Sequence, residues 1–91
     1  LTVSAAPKEL SQALDTPLGP GKWNSQVLAL QKILKYYFPA QTPYNPDGGY
    51  GARTKAGMIK VQDLLQIAAT GVFDQETAVK LQEYGVPLSY K

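Results

Sequence analysis

The sequence predicts an all-α domain: a three-helix bundle with an internal loop–helix pseudo-repeat and a possible short extra helix at the N-terminus. The first observation is a stretch that occurs twice, as DGGYGART at 47–54 and in weaker form as TGVFDQET at 70–77. In both copies a glycine turn precedes an aromatic residue and then a helix start. The second observation is an apolar stripe of helical period before residue 47. We therefore expect two related junctions packed on one further helix, with at most a short extended pairing between the turns.

Residues 1–20 are predicted to form a linker or a short docking helix. Pro7 suits the first turn of a helix, whereas the stretch TPLGPG at 16–21 interrupts regular structure. The folded module is predicted to span 21–88, and residues 89–91 to form a tail. The chain begins at Leu1 without a methionine, which suggests a piece processed or excised from a longer protein.

The first strong helix is predicted to start after Asn24, a favourable N-cap, and to end at Pro39. Trp23, directly before the cap, has two interpretations. It can pack against Leu28 as a hydrophobic staple, or it can serve as a platform for a sugar ring. We expect the staple. The apolar stripe of this helix consists of Val27, Leu30, Leu34, Tyr37 and Phe38.

Two further helices are predicted at about 52–66 and 75–84. Gly51 is a weak cap for the second helix, whereas Asp74 is a strong cap for the third, with Thr77 able to reach back to it. Gly85 followed by Pro87 is typical of a helix stop. Gln62, beside the inner face of the second helix, is either a buried hydrogen-bonding residue or the floor of a groove. The inner faces are predicted to comprise Met58, Val61, Leu65, Ala78, Leu81 and part of Tyr84.

Composition argues against several classes of function. The net charge is only +2 and the basic residues are scattered, which does not suit a nucleic-acid binder. No apolar run approaches the roughly 20 residues that a membrane-spanning helix needs. The chain has neither cysteine nor histidine, so it lacks thiolate zinc ligands and the commonest general base. We expect no metal, cofactor, nucleic-acid or membrane partner.

Catalysis by this chain is not expected. The two carboxylates that head the repeated junctions, Asp47 and Asp74, each have a structural role in a turn or a cap. The other acidic residues suit solvated helix faces. A glycoside hydrolase needs two carboxyl groups facing each other across a cleft, and the sequence offers no convincing pair.

Three motifs carry a resemblance to a known family. They are VxxLQxxL at 27–34, DGxYGxxT at 47–54 and TGxxDxxT at 70–77, joined by Gln62, Ile67 and Leu81. In this order and spacing they resemble the peptidoglycan-binding domain of bacterial and phage cell-wall hydrolases. The resemblance implies a three-helix, carbohydrate-binding module without catalytic activity that anchors an attached, endolysin-like hydrolase. It also implies a monomer tethered to a catalytic domain and a secreted, periplasmic or cell-wall-associated location.

The sequence departs from the family pattern mainly after the first helix, where a longer proline-rich loop spans 39–46. The glycine usual before the position of Ile67 is replaced by Gln66. Relatives of this domain also form the pro-segment of matrix metalloproteases, which uses a cysteine that this chain lacks. Without this cysteine, the zinc-blocking role has no support. The alternative function is a protein–protein docking or pro-segment-like module that uses the same groove.

The ligand surface is predicted between the end of the first helix, the 39–46 loop and the start of the second helix. Tyrosine rings suit sugar faces, and an arginine can bind a peptide-stem carboxylate in bidentate fashion. Arg53 also opens a helix, where the dipole favours an anion. Tyr50 is expected to place its ring in the core and its hydroxyl near the groove. The candidate ligand-binding residues are Tyr36, Tyr37, Tyr44, Tyr50, Arg53 and Gln62.

Overall fold

Three helices form the main regular structure of the domain. The computed structural model describes residues 8–91, in which α1 spans Ser25–Tyr37, α2 spans Ala52–Leu64 and α3 spans Gln75–Tyr84. The predicted helices and the all-α class are confirmed, with ends within two residues of those expected. The remaining regular structure is a 3₁₀ turn at Lys8–Ser11 and two short strands, β1 at Ala13–Leu14 and β2 at Ser89–Tyr90. Within the described residues, none of the helices is long and apolar enough to cross a membrane.

The segment before α1 is packed against the bundle, so the linker prediction is wrong for residues 8–20. The side chains of Leu14 and Leu18 are 0% and 1% exposed, because they complete the hydrophobic core beneath the helices. The 3₁₀ turn lies on α1, where Glu9 forms an ion pair of 3.4 Å with Lys32. This turn matches the alternative prediction of a short docked helix. The part of that prediction on residues 1–7 lies outside the described residues.

The C-terminus also belongs to the fold, which corrects the predicted tail at 89–91. Strand β2 pairs in parallel with β1, and the backbone N–H of Lys91 donates to the carbonyl of Leu14 at 2.7 Å. The Thr16 hydroxyl in turn donates to the carbonyl of Lys91 at 2.5 Å. The sequence did not predict this pairing because two-residue strands carry almost no periodic signal.

A strap at residues 18–23 joins the two glycine turns through backbone hydrogen bonds to both. Leu18 exchanges two backbone hydrogen bonds of 2.8 Å with Phe73. Further along the strap, the carbonyl of Lys22 accepts from the N–H of Tyr50 at 2.8 Å, and the N–H of Gly21 donates to the carbonyl of Tyr50 at 3.0 Å. The strap therefore holds both aromatic residues of the repeated stretch against the core.

The helix ends follow the signals in the sequence. The Asn24 side chain accepts from the N–H of Val27 at 2.9 Å, and α2 begins at Gly51 without a side-chain cap. Gly85, at φ 119°, ends α3 with the pair of hydrogen bonds of a Schellman stop, both made to the last turn. The core enclosed by these helices consists mainly of Val27, Leu30, Ile33, Leu34, Tyr50, Met58, Val61, Phe73, Ala78 and Leu81.

Candidate ligand-binding groove

A buried glutamine on α1 shapes the first glycine turn. The Gln31 Oε1 atom accepts from the backbone N–H groups of Asp47 at 2.9 Å and Gly48 at 2.8 Å. Its Nε2 atom donates to the carbonyl of Gly49 at 3.0 Å and to the hydroxyl of Thr54 at 2.8 Å. One side chain thus satisfies the turn and ties it to the first turn of α2.

Gln62, on α2, does the same for the second glycine turn. Its Oε1 atom accepts from the N–H of Gly71 at 2.9 Å, and its Nε2 atom donates to the carbonyl of Val72 at 2.9 Å and the hydroxyl of Thr77 at 3.0 Å. The side chain is 0% exposed, so the buried alternative for Gln62 is right and the groove-floor alternative is wrong. The same buried role was not predicted for Gln31, although each glutamine directly follows a core residue, Leu30 or Val61.

A groove lies between the 39–46 loop and the start of α2, in the region for which a ligand surface was predicted, and its role in binding stays a prediction. It consists of two adjoining pockets that share Tyr44 and Arg53 in their walls. We call them the Trp23 pocket, of about 450 Å³, and the Lys60 pocket, of about 300 Å³. The Trp23 pocket is also lined by Trp23, Asn45, Asp47, Gly49, Gly51 and Ala52, and the Lys60 pocket by Gln41, Pro43, Ala56, Gly57 and Lys60.

Arg53 occupies the centre of this groove. It is the second residue of α2, its side chain is exposed, and it is the only arginine in the chain. The first turn of α2 contains no acidic residue, and its N-cap offers no side-chain acceptor. The start of the helix therefore presents its guanidinium and backbone N–H groups to the groove, an arrangement that suits a carboxylate.

Tyr44, one of the candidate ligand-binding residues, is buried. Only 8% of the residue is exposed, because Gly57 on α2 leaves room for the ring: a Cβ at Gly57 would lie 2.9 Å from its Cε2 atom. Among the described residues, the Tyr44 hydroxyl is a buried group without a hydrogen-bond partner. Burial, with a smaller contribution from the charge of Asp47, raises the pKa of Tyr44 to about 12. Tyr44 therefore acts as a neutral wall between the two pockets.

Tyr50 is a core residue, as its ring was expected to be. Its exposed fraction is 1%, and its hydroxyl donates to the carbonyl of Gly71 at 2.6 Å. The expectation that the hydroxyl reaches the groove is wrong, because this bond joins the first glycine turn to the second. Burial raises the pKa of Tyr50 well above its usual range.

Tyr36 and Tyr37, at the end of α1, pack against each other. Their ring centroids are 4.8 Å apart in an edge-to-face arrangement, and Tyr36 is 40% exposed. Neither side chain lines the Trp23 pocket or the Lys60 pocket. The structure therefore brings Arg53 and Tyr44 together at the groove and leaves these two tyrosines outside its walls.

Trp23 contradicts the predicted staple. The residue is 73% exposed, and its indole lies over Gly49 rather than being buried against Leu28. Gly49, which lies far along the chain, supports the indole in this position.

Asp47 gives the Trp23 pocket a negative group. The carboxylate accepts from the N–H of Gly49 at 2.9 Å and from the amide of Gln31 at 3.2 Å. These hydrogen bonds hold the pKa of Asp47 below its usual range, so the carboxylate stays ionised at neutral pH. The Trp23 pocket therefore combines an anion, a guanidinium and an exposed aromatic ring.

Comparisons with known proteins agree with the family resemblance. A search of curated proteins finds no match. A family model for a peptidoglycan binding domain matches residues 24–81. That stretch contains α1, α2, most of α3, both glycine turns and the glutamines that hold them. The chain belongs to the peptidoglycan-binding domain family.

Proposed function

We propose that this domain is a non-catalytic module that binds peptidoglycan through the groove at the start of α2 and holds an attached cell-wall hydrolase on the wall. The observation that carries the proposal is the position of Arg53, between two adjoining pockets at an uncapped helix start. The module acts as a tethered monomer, without a cofactor, in a secreted, periplasmic or wall-associated protein. The family assignment supports the ligand class.

The chemistry of peptidoglycan fits this groove. The polymer offers apolar sugar faces, amide groups and peptide-stem carboxylates. The Arg53 guanidinium can donate two parallel hydrogen bonds to a carboxylate. Of the predicted ligand residues, Arg53 contacts the ligand directly in this proposal. Tyr44 shapes the wall, whereas Tyr50 and Gln62 support the turns from within the core.

The repeated hydrogen-bond pattern supports the predicted internal pseudo-repeat. We infer that each unit is a helix carrying a buried glutamine, followed by the glycine turn that this glutamine holds. Gln31 and Gln62 each accept a hydrogen bond from a backbone N–H of the turn and donate one to a turn carbonyl. Each also donates to the threonine hydroxyl in the first turn of the next helix, Thr54 or Thr77. We also propose that the module extends over 8–91 rather than 21–88, because both flanking segments pack on the bundle.

Co-sedimentation with purified sacculi tests the proposed function. The domain should sediment with walls that have been treated with protease, and Arg53→Gln should weaken binding and reduce its salt dependence. Lys80→Gln is the matched control, because Lys80 lies on α3 and makes only a surface ion pair with Glu83. Loss of binding after protease treatment would favour the docking alternative. If Lys80→Gln loses binding while Arg53→Gln binds as well as the parent, the site lies on α3.

The link to a hydrolase has its own test. The complete gene should encode a cell-wall amidase, muramidase or peptidase domain in the same chain. Deleting the module from that protein should lower wall clearing while leaving hydrolysis of soluble fragments unchanged. An unchanged rate on intact walls would contradict the anchoring role.

A further inference from the structure

Trp23 is the most exposed large hydrophobic side chain in the described part of the chain. A Cβ added at Gly49 would lie 2.5, 2.6 and 2.7 Å from three neighbouring atoms of the indole, Cη2, Cζ2 and Cζ3. Such nearly equal distances mean that Gly49 lies beneath the face of the ring rather than beside its edge. One face of the indole therefore rests on the backbone of the first glycine turn, and the residue remains 73% exposed.

The backbone also holds this tryptophan in place. Trp23 forms an isolated β-bridge with Gly49, and the next residue, Asn24, donates its N–H to the carbonyl of Gly48 at 3.1 Å. The turn itself is fixed by Gln31. The exposed ring is therefore supported by a turn with its own buried hydrogen bonds, which reduces the entropy lost when a ligand binds to it.

We propose that Trp23 is a stacking platform for a peptidoglycan sugar, and that the stem peptide attached to that sugar lies in the Lys60 pocket. This inference rests on the proposed function. An exposed aromatic face matches the apolar C–H face of a sugar ring. Asn45 and the ionised Asp47, which line the Trp23 pocket, supply hydrogen-bond partners for hydroxyl and acetamido groups.

The Lys60 pocket suits the acidic peptide stem. Among the residues that the structure describes, its walls contain two cations, Arg53 and Lys60, and no carboxylate, while Gln41 adds an amide for peptide groups. Arg53 and Lys60 lie seven residues apart on α2 and therefore share one face of the helix. Seven residues of α-helix advance by about 10 Å. About three extended peptide residues span that distance.

The order of the two pockets sets the direction of the ligand. They adjoin at Arg53 and Tyr44, so a sugar on Trp23 places its stem peptide beside Arg53 and directs the free end towards Lys60. The ligand class is thus a muropeptide whose stem has at least three residues and a free carboxylate. A stem whose carboxylates are amidated or cross-linked should bind less tightly.

Three soluble probes separate the parts of this inference: a disaccharide–tetrapeptide, the same disaccharide without peptide, and the free tetrapeptide. Trp23 is the only tryptophan in the chain, so tryptophan fluorescence reports on the Trp23 pocket alone. The two sugar-containing probes should shift its emission to shorter wavelength and protect it from acrylamide quenching. The free tetrapeptide should leave the emission nearly unchanged.

Binding constants of variants complete the test. Trp23→Ala should weaken both sugar-containing probes by about three- to tenfold, and Trp23→Phe should restore part of that loss. Lys60→Gln should weaken both peptide-containing probes by about two- to fivefold and reduce their salt dependence. Lys80→Gln is the charge control. All of these side chains are at least partly exposed, and thermal melts of the variants check that folding is retained.

The outcomes distinguish this inference from the proposed function. If the parent domain binds the disaccharide–tetrapeptide while Trp23→Ala binds it equally well and the emission does not move, the inference is overturned and the proposed function stands. If the parent domain binds neither the probes nor sacculi, both are overturned. Loss of disaccharide binding in Trp23→Ala, with free-tetrapeptide binding retained, supports the orientation.

Discussion

Replacing Gln62 with leucine should destabilise the domain strongly, although the two side chains are similar in size. The change leaves the N–H of Gly71 without its acceptor and removes the bonds to the Val72 carbonyl and the Thr77 hydroxyl. An unpaired buried donor costs about 1–3 kcal/mol and each further lost hydrogen bond about 0.5–1.5 kcal/mol, which together give about 2–6 kcal/mol. The apolar leucine offsets part of this, so we expect a net loss of about 1–4 kcal/mol.

Urea and thermal unfolding, followed by circular dichroism at 222 nm, measure this loss. For a domain of this size, 1 kcal/mol shifts the Tm by about 4–8 °C. Gln31→Leu should cost a similar amount, because Gln31 holds the first turn in the same way. Gln82→Leu is the control, since that exposed side chain makes one hydrogen bond, to the Leu88 carbonyl. If Gln62→Leu costs no more than Gln82→Leu, the buried glutamines do not stabilise the turns as argued.

Three further variants test local features. Asp74→Ala removes the carboxylate that accepts from the N–H and hydroxyl of Thr77 and should cost about 0.5–2 kcal/mol in urea unfolding; an unchanged midpoint would contradict this. Hydrogen bonds depress the folded-state pKa of Asp47, so its carboxylate contributes stability above its ordinary pKa of about 4, and this is lost as the pH falls through the folded value. The stability difference between the parent and Asp47→Asn should therefore shrink from pH 6 to pH 2, and a constant difference would refute the assignment. Gln66 has a φ of 62°, so Gln66→Gly should raise stability by about 0.5–1 kcal/mol, whereas a lower Tm would contradict that.

The helices could be predicted because their signals are local. Asn24 and Asp74 make the cap hydrogen bonds that their positions indicate, and Gly71 and Gly85 have the positive φ that the turns require. Gln66 also has a positive φ, the conformation that favours glycine. Each of these features depends on residues close together in the chain.

The contacts that the sequence did not reveal join residues far apart. Tyr44 is buried because Gly57 leaves space for its ring, and Trp23 is exposed because it lies on Gly49. Leu14 is buried under helices that begin later in the chain. These environments have no local sequence signal, because only the packing of the three helices brings the contacting residues together.

Chemical-shift mapping tests most directly whether peptidoglycan binds at the start of α2. A soluble disaccharide–tetrapeptide is titrated into the ¹⁵N-labelled domain, and changes in amide and indole signals are followed. We expect the largest changes at the Trp23 indole and at the amides of 45 and 47–53, with smaller changes towards Lys60. The pocket between α2 and α3, lined by Leu64, Gln66 and Tyr84, should remain unchanged. The largest changes at that pocket, with the Trp23 indole unmoved, would show that the ligand does not bind at the start of α2.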